Sequence, residues 1–246
     1  MFPHSVPLLF HENACNCIVH AWSGAHLSQK HKAFVSITND VAKGLHAEGS
    51  PVQIHYGIAR RYGANQNELA AVLTFLAPHL GFPMVFASFP GLGKVAADNK
   101  DKDGLEYQSS LGSIADPNLP EESRSAFERE MSTIMTRHNL PEHQTSESKA
   151  FDTVWALPEI SAISKAVICC AALMTQDPHG VVDDNSAPKT LLFKAFRACL
   201  RLNVFTPEAL ESFFQVTELY LGRLATNRAR SLACLAQSSA SMFTPA

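Results

Sequence analysis

The chain has 246 residues, 46% of them hydrophobic and 17% charged; this composition argues against disorder and gives enough length for one large domain or two small ones. Its 20 Lys and Arg against 23 Asp and Glu leave a formal net charge of -3, and no basic run is interleaved with aromatics, which argues against nucleic acid as a partner. No apolar stretch approaches the length of a membrane span, so no membrane partner is expected.

The opening stretch "MFPHSVPLLFHENACNC" lacks the basic start and long apolar run of a signal peptide, and Pro3 and Pro7 interrupt what apolar run there is. Of the six cysteines, Cys169 and Cys170 are adjacent in an apolar helix-like run, where bridging one another is strained. A reduced, cytoplasmic protein is the expectation. Cys15 and Cys17 form a C-x-C with His11 and His20 nearby, but a structural zinc site needs a second ligand pair and none is visible, so no metal is expected.

From Ala21 onward the chain contains itself twice. "AWSGAHLSQKHKAFVSITNDVA" can be laid on "VWALPEISAISKAVICCAALM" from Val154, which pairs Trp22 with Trp155, Leu27 with Ile160, and Lys32-Ala33 with Lys165-Ala166, 133 residues apart. "HYGIARRYGANQNELAAVL" lies over "AFRACLRLNVFTPEALESF", pairing Gly63 with Asn203 and Glu68 with Glu208, 140 apart. The second copy then carries extra residues in a loop, placed around "DPHGVVDDNSAP".

Each copy reads as helices. Ser50, Pro51 and Gln53 form a capping box with proline at the first helical position, and Gly63 is a natural stop. Read as a helix from Pro51, His55 has Val52, Ile58, Ala59 and Tyr62 three, four and seven positions away, so its side chain should point toward the core. Asn65 and Glu68 open the next helix, whose apolar stripe is Leu69, Val72, Leu73 and Leu76; Thr206-Pro207-Glu208 opens its counterpart. "GLGK", residues 91 to 94, lacks the spacing of a phosphate-cradling loop and reads as a turn. The expected units are 1–97 and 126–246, joined by a charged, Gly-, Pro- and Ser-rich linker over 98–125. A lead-in helix follows from "SRSAFEREMSTIMTRHNL", and the tail "AQSSASMFTPA" should fray.

These residues resemble a known family. "HYGIARRYGANQNELAAVLTFLAPHLGFPMVFASF" is similar to the second half of a carboxymuconolactone decarboxylase domain, ending in "LAPHLGFP" with His79 where that family often has Tyr; "AWSGAHLSQKHKAFVSI" is similar to its first half. The likeness covers residues 20 to 95 well and 150 to 235 as a degenerate copy. It implies an all-α fold of two tandem alkylhydroperoxidase D-like units packed as one pseudo-symmetric domain, a cofactor-free site that handles protons on a small acid or lactone, and a homo-oligomer, a trimer by analogy. Where redox-active relatives carry Cys-x-x-Cys ahead of the histidine, this chain has Glu48 and Pro51, which argues against dithiol peroxidase chemistry. The family's usual acid is absent at Lys32-Ala33-Phe34, and Glu48 or Asp40 could replace it; Ala195 stands at the position equivalent to His55, so one competent site, in the first unit, is expected.

The expected catalytic residues are His55, whose imidazole can take and return a proton near neutral pH, and Glu48 as its acid or orienting partner. The alternative for His55 is a buried histidine bonded to a carbonyl or water. His79, Lys32, Tyr62 and Trp22 are the expected substrate-binding residues, Lys32 as a point charge for a carboxylate. Tyr56 points about 100° away from His55 around the helix and reads as packing. His26, His31, His46 and Lys32 read most simply as surface residues. The reaction is expected to be a decarboxylation or an isomerisation; the competing class is a non-catalytic helical protein.

Overall fold

The computed structural model describes residues 8–98, 120–139, 145–176 and 190–241. Among them every regular element is a helix: α1 (Leu8–Ser23), α2 (Gln29–Ala42), α3 (Pro51–Arg61), α4 (Gln66–Leu80), α5 (Phe82–Phe86), α6 (Phe89–Asp98), α7 (Glu121–Asn139), α8 (Thr145–Trp155), α9 (Ala162–Gln176), α10 (Leu191–Arg201) and α11 (Pro207–Ser241). The protein is all-α. The loop expected around "DPHGVVDDNSAP" lies outside the described residues.

Two helices form the centre. In α9 every residue from Ala162 to Met174 is buried, as its apolar composition predicts. In α2 the same is true from His31 to Val41, although that run contains Lys32, Ser36, Thr38, Asn39 and Asp40. Buried polar groups must find partners. Thr38 Oγ1 donates to the Phe34 carbonyl and Asn39 Nδ2 to the Val35 carbonyl, both at 2.8 Å, while Lys32 Nζ donates to the carbonyls of Trp22 (2.8 Å) and Gly24 (2.6 Å). Ser36 Oγ and Asp40 Oδ1 have no hydrogen-bond partner among the described residues, and Asp40 belongs to the site described below.

The helix ends explain the layout. α3 starts at Pro51 and is closed by Tyr62, with Gly63 at φ +93°. The capping box does not form as expected: Ser50 Oγ donates to the Leu45 carbonyl, and Gln53 Oε1 accepts from the Gly49 N–H instead. Asn65 does cap α4, its Oδ1 accepting from Glu68 N at 2.8 Å. Thr206 caps α11 in the same way by accepting from Ala209 N at 3.2 Å. These two caps stand 141 residues apart, one more than the spacing of Glu68 and Glu208. Two further corrections concern segments expected to be irregular: "GLGK" lies inside α6, and the tail is helical through Ser241.

Starts at Gln29 and Ala162 separate α2 and α9 by 133 residues, and starts at Pro51 and Leu191 separate α3 and α10 by 140. Gly81 (φ 93°, ψ 135°) ends α4; Gly222 (φ 77°, ψ 166°), 141 residues later, breaks α11 into two helical stretches. α2 packs on α3, α9 and α11, while α9 packs on α10, α2 and α4. Each central helix is thus covered by a helix from the other half of the chain. That crossing brings α11 over the α2–α3 pair.

Candidate proton-transfer site

Where α2, α3 and α11 meet, His55 Nδ1 lies 2.6 Å from Asp40 Oδ2. The Asp40 side chain is fully buried and that of His55 is 14% exposed. Asp40 Oδ1 has no hydrogen-bond partner among the described residues, so His55 is what this carboxylate has in place of water. Burial pushes the Asp40 carboxyl above its ordinary range, and the hydrogen bond and charge of His55, then the charge of Lys43, pull the other way. With Nδ1–H donated to Asp40, Nε2 carries the lone pair that can accept a proton.

Nε2 is faced by Tyr220 Oη at 3.4 Å, and the Tyr220 ring stands edge-on to the imidazole with centroids 6.3 Å apart. The indole of Trp22 lies parallel to the imidazole, at an interplanar angle of 8° and a centroid distance of 6.1 Å. Burial and the nearby Asp40 charge both push the Tyr220 phenol up, so it stays protonated and is a donor at neutral pH. Lys43 Nζ holds the Tyr220 carbonyl. The constellation can move a proton along Asp40, His55 and Tyr220.

The expected residues fall out unevenly. His55 does sit at a polar centre, but the core face of α3 is Val52, Tyr56 and Ala59; Ile58, expected beside His55 in the core, is only half-buried. Tyr56 is buried packing, its Oη 3.5 Å from the Ser88 carbonyl. Glu48 is not the acid: its side chain is 77% exposed and pairs with Lys94, while Asp40 on α2 meets His55. Lys32 and His31 are buried, not on the surface. Lys32 ties down the Trp22 carbonyl from inside and offers no free charge to a carboxylate; burial lowers it to about 8. His31 is bonded to Ser28 Oγ (2.7 Å) and Ser164 Oγ (3.2 Å). His46 is half-buried, with Nδ1 2.8 Å from Ser88 Oγ. Trp22 belongs to the site, and Tyr62 closes α3 two turns along from His55.

His79 is elsewhere. It is 4% exposed, it lies among Phe75, Phe151 and Trp155, and neither ring nitrogen has a partner among the described residues. Burial lowers its pKa to about 3, which keeps it neutral. It is a core residue and does not reach the Asp40–His55 pair.

Tyr220 was not foreseen. The one signal that could have found it is the 141-residue register, which sets it against His79 as it sets Gly222 against Gly81. Two clefts lie away from His55: a charged one of about 360 Å³ lined by Lys30, Glu68, Arg124, Glu128 and Lys165 among others, and an apolar one of about 370 Å³ beside Phe82, Val85, Phe86 and Phe89. Among the described residues no helix is long and apolar enough to cross a membrane. No family model matches the chain, and no curated protein matches it.

Proposed function

We propose that the chain is an enzyme that transfers protons on a small organic acid or lactone, carrying out a decarboxylation or an isomerisation at His55. The single observation that carries this reading is the 2.6 Å contact between a fully buried carboxylate, Asp40, and a partly exposed imidazole. A buried carboxylate bonded to Nδ1 fixes the tautomer, orients the ring and stabilises the imidazolium, which is what a general acid or base needs. Side chains alone suffice for such a step, so no cofactor enters it. In this reading the chain is a tandem duplication with one competent site, since Leu173 and Ala195 occupy the positions corresponding to Asp40 and His55. The resemblance to carboxymuconolactone decarboxylases points to the same chemistry.

The test is mass spectrometry of β-keto acids and unsaturated lactones incubated with the native chain and with His55→Ala, with circular dichroism to check that the variant is folded. Loss of carbon dioxide that vanishes in the variant supports a decarboxylase, and a new isomer of unchanged mass supports an isomerase or cyclase. Product formed equally by both proteins, or by neither, overturns the reading.

A further inference from the structure

We propose that Phe82, Met84, Phe86 and Phe89 form a self-association surface, through which two copies of this chain pair about a two-fold axis. The proposal is independent of the reading of His55. It starts from where the phenylalanines go. Every other phenylalanine whose side chain is described is at most 4% exposed, whereas Phe82 is 63%, Phe86 77% and Phe89 36% exposed, and Met84 beside them is 37% exposed. Single exposed apolar side chains are ordinary, but a cluster of this kind marks an interaction surface.

The backbone holds these rings outward. Gly81, at φ 93°, ends α4 and turns the chain into the short α5, which buries only Val85. Phe82 and Phe86, four positions apart, share a helix face, and Phe89 opens α6 three residues on. Beside them runs the apolar cleft of about 370 Å³, with Thr74 and Ala77 of α4 among its walls. At the 141-residue spacing that separates Gly81 from Gly222, the other half of the chain has Arg223, Asn227 and Arg230 in place of the phenylalanines. In the proposed duplication the same surface is therefore polar in the other half, so the aromatic set is no requirement of the fold.

A second copy is the occupant that charge and area favour. From Leu69 to Gly93 there is no Asp, Glu, Lys or Arg, and His79 within that run is buried. A two-fold interface sets a face against itself, so like charges are its main obstacle, and this face brings none. A foreign protein would find no charge to recognise here, and a lipid surface would find no Lys or Arg for its headgroups. Taking about 200 Å² for each whole residue, the four residues expose about 400 Å² per copy. That is half of the ~800 Å² that a stable interface takes from each partner, and the walls of the cleft add to it. Phe86 of one copy is the projection and the cleft of the other is the recess, and the two-fold axis makes both contacts at once.

The experiment is sedimentation equilibrium of the full chain at about 1 to 100 µM. The native chain is expected to be a dimer, and Val19→Asp, which puts a charge on a comparably exposed apolar residue of α1, should remain one. Phe86→Asp should weaken the dimer at least about 100-fold. Its circular dichroism should match that of the native chain, because so exposed a side chain supports no core. Phe82→Ser is read in the same way if Phe86→Asp does not fold. A native chain that is monomeric at the highest concentration overturns the proposal. Protease cleavage within 99–119 gained in Phe86→Asp would then assign the face to the chain's own segment, and binding to phosphatidylcholine vesicles lost in that variant would assign it to a membrane. A dimer that survives both Phe82→Ser and Phe86→Asp places the interface elsewhere and overturns the proposal equally, as does an assembly larger than a dimer.

Discussion

Trp22 beside His55 and Trp155 near His79 each offer a backbone carbonyl to a buried lysine, Lys32 at 2.8 Å and Lys165 at 2.7 Å, yet what those frames enclose is opposite in chemistry. Around His55 the frame holds a buried carboxylate and a phenol, each within hydrogen-bonding reach of one nitrogen of the imidazole between them. Around His79 it holds Phe75, Phe151 and Trp155, and the proposed duplication sets the apolar Leu173 and Ala195 against Asp40 and His55. The second arrangement is what a helical core does by default, filling space with apolar and aromatic groups. The first keeps a buried carboxylate whose Oδ1 has no partner among the described residues, an arrangement that costs stability. Such a cost is characteristic of a working site.

The sharpest way to break this contrast is to build the apolar version at the polar place. Asp40→Leu combined with His55→Ala should lower proton-transfer activity by ~10²–10⁴-fold, measured as carbon dioxide release or isomer formation. Stability should fall less than in the single variant His55→Ala, because the buried carboxylate leaves together with its partner. His55→Ala alone should be the less stable protein, by about 3–5 kcal/mol relative to the native chain, since it strands the Asp40 carboxylate. Urea unfolding of the three proteins checks the order. A His55→Ala variant as stable as the double variant would mean that Asp40 does not depend on His55 for its partner.

His79 provides the next largest effect. Its pKa falls from 6.5 in the unfolded chain to about 3 in the folded protein, so the unfolded state takes up a proton first as pH drops. Stability is therefore whole above about pH 6.5 and is lost progressively as the pH falls toward 3, by up to about 5 kcal/mol. His79→Leu should remove that dependence while changing stability at pH 7 by less than about 1.5 kcal/mol. Unfolding at pH 7, 6, 5 and 4 measures it; an unchanged slope in the variant would place the acid sensitivity elsewhere.

Local signals in the sequence were readable where local geometry decides the outcome. Pro51 and Gly63 mark the ends of α3, Asn65 caps α4, and the tryptophan and lysine spacing follows the helix starts. What escaped was set by contacts between distant helices. The polar residues of α2 look like a solvated face, and they are buried because α9 and α11 cover that helix. Glu48 is nearer to His55 in the chain than Asp40 is, but the crossing of α2 and α3 selects Asp40. Tyr220 lies 165 residues from His55, beyond the reach of any local pattern. "GLGK" has turn composition yet is helical, and a Cβ at Gly91 would come within 3.2 Å of Gln53 Cγ, so glycine there lets α6 approach α3 closely. Tertiary packing overrode propensity at that point.

Gly81 and Gly222 give the finest test, because they isolate backbone from side chain. Both have positive φ and neither has an atom within 4 Å of where a Cβ would stand, so alanine meets no clash and the penalty is conformational. For either substitution it should be about 1–3 kcal/mol, read as a drop in thermal midpoint. Their surroundings then separate them. Gly81 follows His79 by two residues and ends a helix on the apolar core, whereas Gly222 follows Tyr220 by two residues and sets the direction in which α11 leaves the site. Gly222→Ala should lower turnover several-fold along with stability, and Gly81→Ala should lower stability alone. Equal losses of stability with equal, undiminished turnover would mean that Lys43 and the ring packing hold Tyr220 without the break in α11. Unequal turnover would tie the break in α11 to the site.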